Sequence, residues 1–122
     1  LGGVPLWVSG TVNPRAMRRL ADFGAGWIPW GPDAADLTVG IPRMREAVTG
    51  FGRDPSEIGV VGTLPVVRSD DAIDLDATMA GVSALTEAGV TDFRAHLPIP
   101  SGLDAASEYL TDVVARFDAA LG

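Results

Sequence analysis

The chain has 122 residues, enough for one ordinary domain with a buried core, and 47% of them are hydrophobic while 20% are charged. Its net charge is −7 and its nine basic residues are scattered arginines, so it lacks the dense basic surface that nucleic acid or an anionic membrane requires. The absence of cysteine excludes disulfides, thiolate catalysis and cysteine-ligated metals. No stretch approaches the roughly 20 apolar residues of a membrane span. We therefore predict a cytoplasmic globular protein that binds neither nucleic acid nor membranes.

A strand that ends in a small-residue turn opens the chain and leads directly into a helix. The turn is Ser9-Gly10-Thr11, and Asn13 and Pro14 are favoured at the N-cap and first position of a helix. The free N–H groups of that helix would point back at the turn and suit an anion such as phosphate. The alternative interpretation is an ordinary, well-capped connection between a strand and a helix.

The next elements repeat this order. Apolar side chains at helical spacing predict a helix over residues 13–23, which Gly24 ends, and a very short strand follows over residues 26–30. The second helix then has one apolar face, made of Ile41, Met44, Val48 and Phe51. Because a proline deep in a helix removes a hydrogen bond, we place Pro42 in the first turn of this helix, after a separate short turn at residues 33–37.

The second half of the chain continues in the same way. Residues 58–67 form a third strand, a helix capped by Asp74 runs to Gly89, residues 90–97 form a fourth strand, and a last helix begins near Asp104. Four βα units at a spacing of about 30 residues predict an α/β fold with a parallel sheet. Right-handed connections leave two architectures, a small doubly wound sheet or part of an eight-unit barrel.

Three segments point to a known family. They read VPLWVSG at residues 4–10, GAGWIP at residues 24–29 and GRDP at residues 52–55. In this order and spacing they resemble the C-terminal half of the bacterial luciferase-like monooxygenases, and the resemblance covers the chain from end to end. That family includes flavin-dependent monooxygenases and deazaflavin-dependent oxidoreductases built on a (β/α)8 TIM barrel.

The resemblance implies that the four strands are barrel strands five to eight. Residues 1–122 would then be a single domain, a C-terminal half-barrel fragment of a longer protein, and this fragment alone is expected to be inactive. The family binds FMN or the deazaflavin coenzyme F420 and holds the cofactor phosphate after strands five and six. Carried over to this sequence, the cofactor-binding residues are Ser9, Gly10, Thr11, Trp30 and Gly31. The resemblance implies a small-molecule substrate for the full-length protein and assigns no catalytic or metal-binding residue here.

Several other residues have a functional and a structural interpretation. His96, the only histidine, lies two residues after Arg94, so the two could share one face of the fourth strand and touch a cofactor or substrate anion; a structural role for His96 is the simpler interpretation. Trp7 and Trp27 are expected in the core or barrel wall, whereas Trp30 ends a strand and could line a pocket. Four aspartates fit the acidic N-terminus of a helix better than a metal site: Asp70, Asp71, Asp74 and Asp76.

Two further expectations concern assembly and an alternative function. Half of a barrel leaves two sheet edges and an inward apolar face uncovered, so we expect a homo-oligomer. The competing interpretation is a non-enzymatic, self-standing α/β module that binds a phosphorylated ligand or a protein partner.

Overall fold

The computed structural model describes residues 4–122, so residues 1–3, which precede the first predicted strand, lie outside the described part of the chain. The strands are β1 (Leu6–Gly10), β2 (Gly24–Pro29), β3 (Gly59–Thr63), β4 (Arg68–Ser69), β5 (Ala72–Ile73) and β6 (Asp92–Arg94). The α-helices are α1 (Pro14–Phe23), α2 (Pro32–Ala35), α3 (Leu37–Gly50), α4 (Leu75–Met79), α5 (Val82–Ala88) and α6 (Leu103–Leu121), and a 3-10 turn spans Pro55–Glu57.

The principal sheet has four strands in the order β1-β2-β3-β6. Strand β1 pairs in parallel with β2 from Leu6 opposite Gly24 to Gly10 opposite Pro29, with one irregularity between Leu6 and Trp7. Strand β2 pairs in parallel with β3. Parallel neighbours joined by helices are the βα arrangement that the sequence predicts. The predicted α/β class is therefore confirmed.

The chain divides into two compact units. The first contains residues 4–62 and Ala88–Phe93, and the second contains Thr63–Glu87 and Arg94–Gly122. The first unit has a close-packed core whose side chains are at most 1% exposed: Met17, Leu20, Trp27, Ile41, Met44, Val48 and Val60. Each such burial contributes about 1.5–3 kcal/mol for an aliphatic or aromatic side chain. That residues 1–122 form one domain stays a prediction.

Pro42 is not where the sequence analysis puts it. Helix α3 begins at Leu37 because Asp36 caps it, accepting a hydrogen bond from the Thr38 amide at 3.1 Å. Pro42 is therefore the sixth residue of the helix, beyond the first turn, where it removes the amide that would normally bond to the Thr38 carbonyl. The predicted short turn before this helix is confirmed as α2.

The second unit departs most from the predicted elements. Asp70 and Asp71 do not belong to a helix N-terminus; they form the two-residue turn of the β4–β5 hairpin, with φ of 51° and 66°. Such a turn requires positive φ, which aspartate tolerates better than most residues. Asp74 is the helix cap that was predicted and accepts a hydrogen bond from the Ala77 amide at 2.9 Å.

The helix predicted between Asp74 and Gly89 is two helices, α4 and α5. The Gly81 amide bonds to the Thr78 carbonyl at 3.2 Å, a short-range bond that ends α4, and glycine is a poor helix former. The third and fourth strands are shorter than predicted, since β3 ends before Pro65 and β6 ends at Arg94. Helix α6 starts at Leu103, close to the predicted Asp104. Within residues 4–122, no helix combines the length and hydrophobicity that crossing a bilayer requires.

Candidate functional site at the carboxyl ends of the first two strands

The two segments predicted to bind phosphate lie next to each other in the first unit. Strands β1 and β2 are parallel neighbours, so both carboxyl ends open on the same edge of the sheet. The methyl carbon of Thr11 lies 3.4 Å from the point where a Cβ would stand at Gly31. The segment that contains Ser9, Gly10 and Thr11 therefore meets the segment that contains Trp30 and Gly31.

Glycine is needed at Gly31 and favoured at Gly10. Gly31 precedes α2 with a φ of 59°, in the left-handed region that side chains rarely adopt. Gly10 has a φ of 154°, and a Cβ there would lie 3.5 Å from the Cβ of Ala16 at the start of α1. Since neither glycine carries a side chain, the backbone at both strand ends can be approached closely by a ligand.

Asn13 organises the first loop and confirms the predicted N-cap. Its Oδ1 accepts a hydrogen bond from the Ala16 amide at 2.9 Å, and its Nδ2 donates to the carbonyl oxygen and to Oγ1 of Thr11, both at 3.1 Å. Because the Thr11 hydroxyl oxygen is already an acceptor, its own proton remains available for donation to another group. Thr11 therefore keeps a hydroxyl donor on the loop.

Helix α1 offers fewer free amides than its predicted start suggests. Pro14 has no N–H, and the amides of Ala16 and Met17 donate to Asn13. Within residues 4–122, the first-turn amide of α1 that has no acceptor in the structure is that of Arg15. The capacity of this region to bind an anion therefore rests on the loop and its hydroxyl groups more than on the helix end.

Asp33 is the residue that the sequence analysis missed. Its side chain is buried, with 4% of the residue exposed, and its Oδ2 accepts a hydrogen bond from the Val12 amide at 2.7 Å. Its Oδ1 accepts a hydrogen bond from Nη1 of Arg43 at 3.0 Å, an ion pair whose arginine side chain is 55% exposed. Asp33 lies two residues after Gly31, and this position just beyond a parallel strand is the signal that could have identified it.

Two more contacts fix the site from behind. The buried indole of Trp27 donates from Nε1 to the Gly10 carbonyl at 3.0 Å, which ties β2 to the end of β1. Gly40 in α3 packs against α2 so closely that a Cβ there would lie 2.5 Å from the Asp33 carbonyl oxygen. The loop and α2 are therefore held by buried groups on two sides, as a preformed binding site requires.

The remaining sequence candidates are placed differently. Trp27 is fully buried, as predicted, whereas Trp30 is 67% exposed. The ring of Trp7 covers Gly26, where a Cβ would lie 2.1 Å from the ring, so Trp7 packs on the sheet. In the second unit, Arg94 donates from Nε to Oγ1 of Thr63 at 2.8 Å. His96 lies beyond the end of β6 and is exposed, so strand alternation does not pair it with Arg94.

The described residues, from 4 to 122, contain no group of three or more histidine, aspartate and glutamate side chains placed to hold a metal ion. In the second unit, hydrogen bonds to Asp112 and then to Asp76 raise the pKa of Arg116 further above its ordinary value. Among the described residues, the candidate site combines neutral donors with the ion pair between the buried Asp33 and the half-exposed Arg43.

The sequence matches the luciferase-like monooxygenase family over residues 1–113. The chain belongs to this family. A comparison with curated protein sequences gives no significant match. The identification agrees with the family resemblance of the three segments described above.

The first of the following two solved structures supports a luciferase-like fold. An F420-dependent secondary alcohol dehydrogenase in complex with an F420–acetone adduct superposes with a TM-score of 0.64 at 14% identity, over 95% of this chain and 49% of that chain. A coenzyme F420-dependent tetrahydromethanopterin reductase from Methanopyrus kandleri gives a TM-score of 0.42 at 17% identity, over 98% of this chain and 34% of that chain. The luciferase-like chain thus spans about half the length of the dehydrogenase, which confirms the predicted half-barrel fold.

Proposed function

We propose that this luciferase-like chain supplies the phosphate-binding loops of an oxidoreductase or monooxygenase that uses FMN or coenzyme F420 and acts on a small-molecule substrate. Two lines support the proposal: membership of the family, and the contact between Thr11 and Gly31 that brings both predicted loops to one edge of the sheet. The contact is the observation that carries the proposal, because a phosphate held by two loops requires that they meet.

The residues present fit a phosphate group. Ser9 is exposed and Thr11 has a hydroxyl proton free to donate, so the loop offers neutral donors to phosphate oxygens. Gly10 and Gly31 present no Cβ, so their backbone can approach the anion. Neutral donors are a suitable way to hold an anion in a chain of net charge −7.

A bound cofactor would supply the redox chemistry through its ring. The part that falls to this chain is positioning: Ser9 and Thr11 would hold the phosphate, and the exposed Trp30 indole would stand beside it. Fixing the phosphate restricts where the rest of the cofactor can lie, which lowers the entropy cost of bringing it to a substrate. The F420 complex of the structurally similar dehydrogenase supports including F420 in the test.

The test is a fluorescence titration of the full chain with FMN, coenzyme F420 and riboflavin, which lacks the phosphate. We expect FMN or F420 to bind more tightly than riboflavin. Gly10→Asp places a carboxylate at the loop and should weaken binding of the phosphorylated ligand by about tenfold or more, which corresponds to about 1.4 kcal/mol. Gly10→Ala, which adds the Cβ without the charge, should have a smaller effect.

The matched control is Gly50→Asp. Gly50 lies at the opposite end of α3 from the α2 contact, and no atom lies within 4 Å of a Cβ built there. Gly50→Asp adds the same charge outside the loops and should leave the affinity for each ligand unchanged. Equal affinity for riboflavin and the phosphorylated ligands, or full binding by Gly10→Asp, would refute the phosphate site and favour a non-enzymatic module that binds a protein partner.

We also propose that the chain forms a homo-oligomer. Strand β1 is an edge of the principal sheet, and its Leu6 and Trp7 are 53% and 38% exposed. An edge strand with exposed apolar side chains favours association. Light scattering coupled to size-exclusion chromatography should give at least twice the mass of 12.6 kDa at micromolar concentration, and a single species of monomeric mass would contradict the proposal.

A further inference from the structure

The buried carboxylate of Asp33 places a negative charge directly behind the loop proposed to bind phosphate. Its Oδ2 accepts a hydrogen bond at 2.7 Å from the amide of Val12, the residue after Thr11. The Val12 amide is therefore already hydrogen-bonded within the protein. In a loop with the greatest affinity for an anion, this amide would donate to the ligand instead. The burial of Asp33, at 4% exposure, limits how far water screens its charge.

Arg43 compensates this charge only in part. It contacts Oδ1, while the loop is bonded to Oδ2, so the guanidinium and the loop lie on different oxygens of the carboxylate. The Arg43 side chain is 55% exposed, and solvent weakens the field of an exposed charge more than that of a buried one. The described neighbours of Asp33 in the loop, Val12 and Thr11, are uncharged.

We propose that Asp33 is a specificity-determining residue of the phosphate site, which makes the loop favour a singly charged phosphodiester over a doubly charged phosphomonoester. The inference rests on the proposed function and narrows its cofactor class. FMN ends in a phosphomonoester, which carries close to two charges at neutral pH, whereas the phosphate of coenzyme F420 is a diester with one charge. The Asp33 carboxylate would repel the second negative charge of a monoester, and the loop has no additional donor to offset this repulsion.

The test isolates phosphate charge from ring chemistry by using one ring with two phosphates. The full chain is titrated with FMN and with the monomethyl phosphate ester of FMN, a diester on the same isoalloxazine ring. The wild-type chain should bind the methyl ester more tightly, by about tenfold for the one charge that FMN carries in addition. Coenzyme F420 forms a third arm and should bind more tightly than FMN.

Asp33→Asn removes the charge and keeps a side-chain oxygen that can accept from the Val12 amide. The affinity for both ligands should rise, and that for FMN should rise by about tenfold more than that for the methyl ester because of its second charge, so the preference largely disappears. Asp36→Asn is the matched control: it removes an equal charge from an exposed carboxylate that contacts Thr38, and the ratio of the two affinities should stay at the wild-type value. A purely structural role for Asp33 would lower both affinities together.

Arg43→Gln provides a second variant should Asp33→Asn fail to fold. Because it removes the charge that offsets Asp33, it should widen the preference for the methyl ester. If Gly10→Asp weakens both ligands but the ratio of affinities is the same in the wild type, Asp33→Asn and Arg43→Gln, the role of Asp33 is refuted and the phosphate site stands. If neither ligand binds better than riboflavin, the phosphate site itself is refuted, and this inference with it.

Discussion

The two compact units of the chain bury their side chains to very different degrees. In the first unit, helices α1 and α3 have 10 and 14 residues, and each places four residues in the core. In the second unit, α4 and α5 have only 5 and 7 residues, and the 19-residue helix α6 has no buried residue. Length therefore does not decide burial here. A helix stabilises a unit only when its apolar face meets a sheet or another helix.

This difference also separates the candidate site from the rest of the chain. Every residue of the proposed phosphate site lies in the first unit, where the buried side chains of Trp27 and Asp33 hold the loop through hydrogen bonds. Sites that must bind a ligand in one geometry benefit from such support, because less order has to be created on binding. The second unit has few buried apolar contacts, which is typical of segments that open at low free-energy cost.

The largest effect expected from this comparison is the contrast between two leucine truncations. Leu20→Ala in α1 removes a side chain that is fully buried and should reduce the free energy of unfolding by about 2–5 kcal/mol. Leu110→Ala in α6 removes one that is 45% exposed and should cost less than about 1 kcal/mol. Urea unfolding followed by circular dichroism measures both; equal losses would show that α6 is as well packed as α1.

A smaller contrast is expected between two glycines of the same helix. Gly40→Ala would place a Cβ 2.5 Å from the Asp33 carbonyl oxygen, a backbone atom that cannot move freely, so we expect a loss of about 1–3 kcal/mol. Gly50→Ala meets no atom within 4 Å and should instead raise stability by about 0.5 kcal/mol, the usual gain of alanine over glycine in a helix. Thermal unfolding of both variants checks the signs, and stabilisation by Gly40→Ala would contradict the close packing of α2 on α3.

Much of the first unit could be predicted from sequence because its signals are local. The cap at Asn13, the helix end at Gly24 and the apolar face of α3 each depend on residues within one or two turns. Family membership, and with it the half-barrel fold, was predicted from three short segments. Asp33 was missed because its partners are distant: Val12 lies 21 positions away along the chain. Its position near a strand end indicates a candidate site residue, but no local pattern indicates the contact with Val12.

The second unit was harder to predict for a related physical reason. Its strands β4 and β5 have two residues each, too few for an alternating pattern to emerge, and the turn between them is two aspartates instead of the usual asparagine-glycine type. Gly81 divides one predicted helix into two through a single short-range hydrogen bond. Where elements are this short, individual hydrogen bonds decide the boundaries and hydrophobic periodicity does not.

The smallest expected effect concerns an exposed turn of the first unit. Asp54 accepts hydrogen bonds from the hydroxyl and the amide of Ser56, at 2.8 and 2.9 Å, and these bonds lower the pKa of its carboxyl below the ordinary value of 3.8. Because the pKa is lower in the folded chain, the stabilisation is present above about pH 4 and is lost as the pH falls through the folded-state pKa. An NMR titration of the carboxyl signal should therefore give a midpoint below 3.8.

Ser56→Ala tests whether the Ser56 hydroxyl lowers the pKa of Asp54. It removes the hydroxyl donor, which is the largest cause of the shift, and keeps the amide donor, so the Asp54 midpoint should move part of the way back toward 3.8. The carboxyl is fully exposed, so solvent screening should keep the accompanying change in stability small. A midpoint at or above 3.8 in the wild type would mean that the Ser56 bonds do not persist in solution.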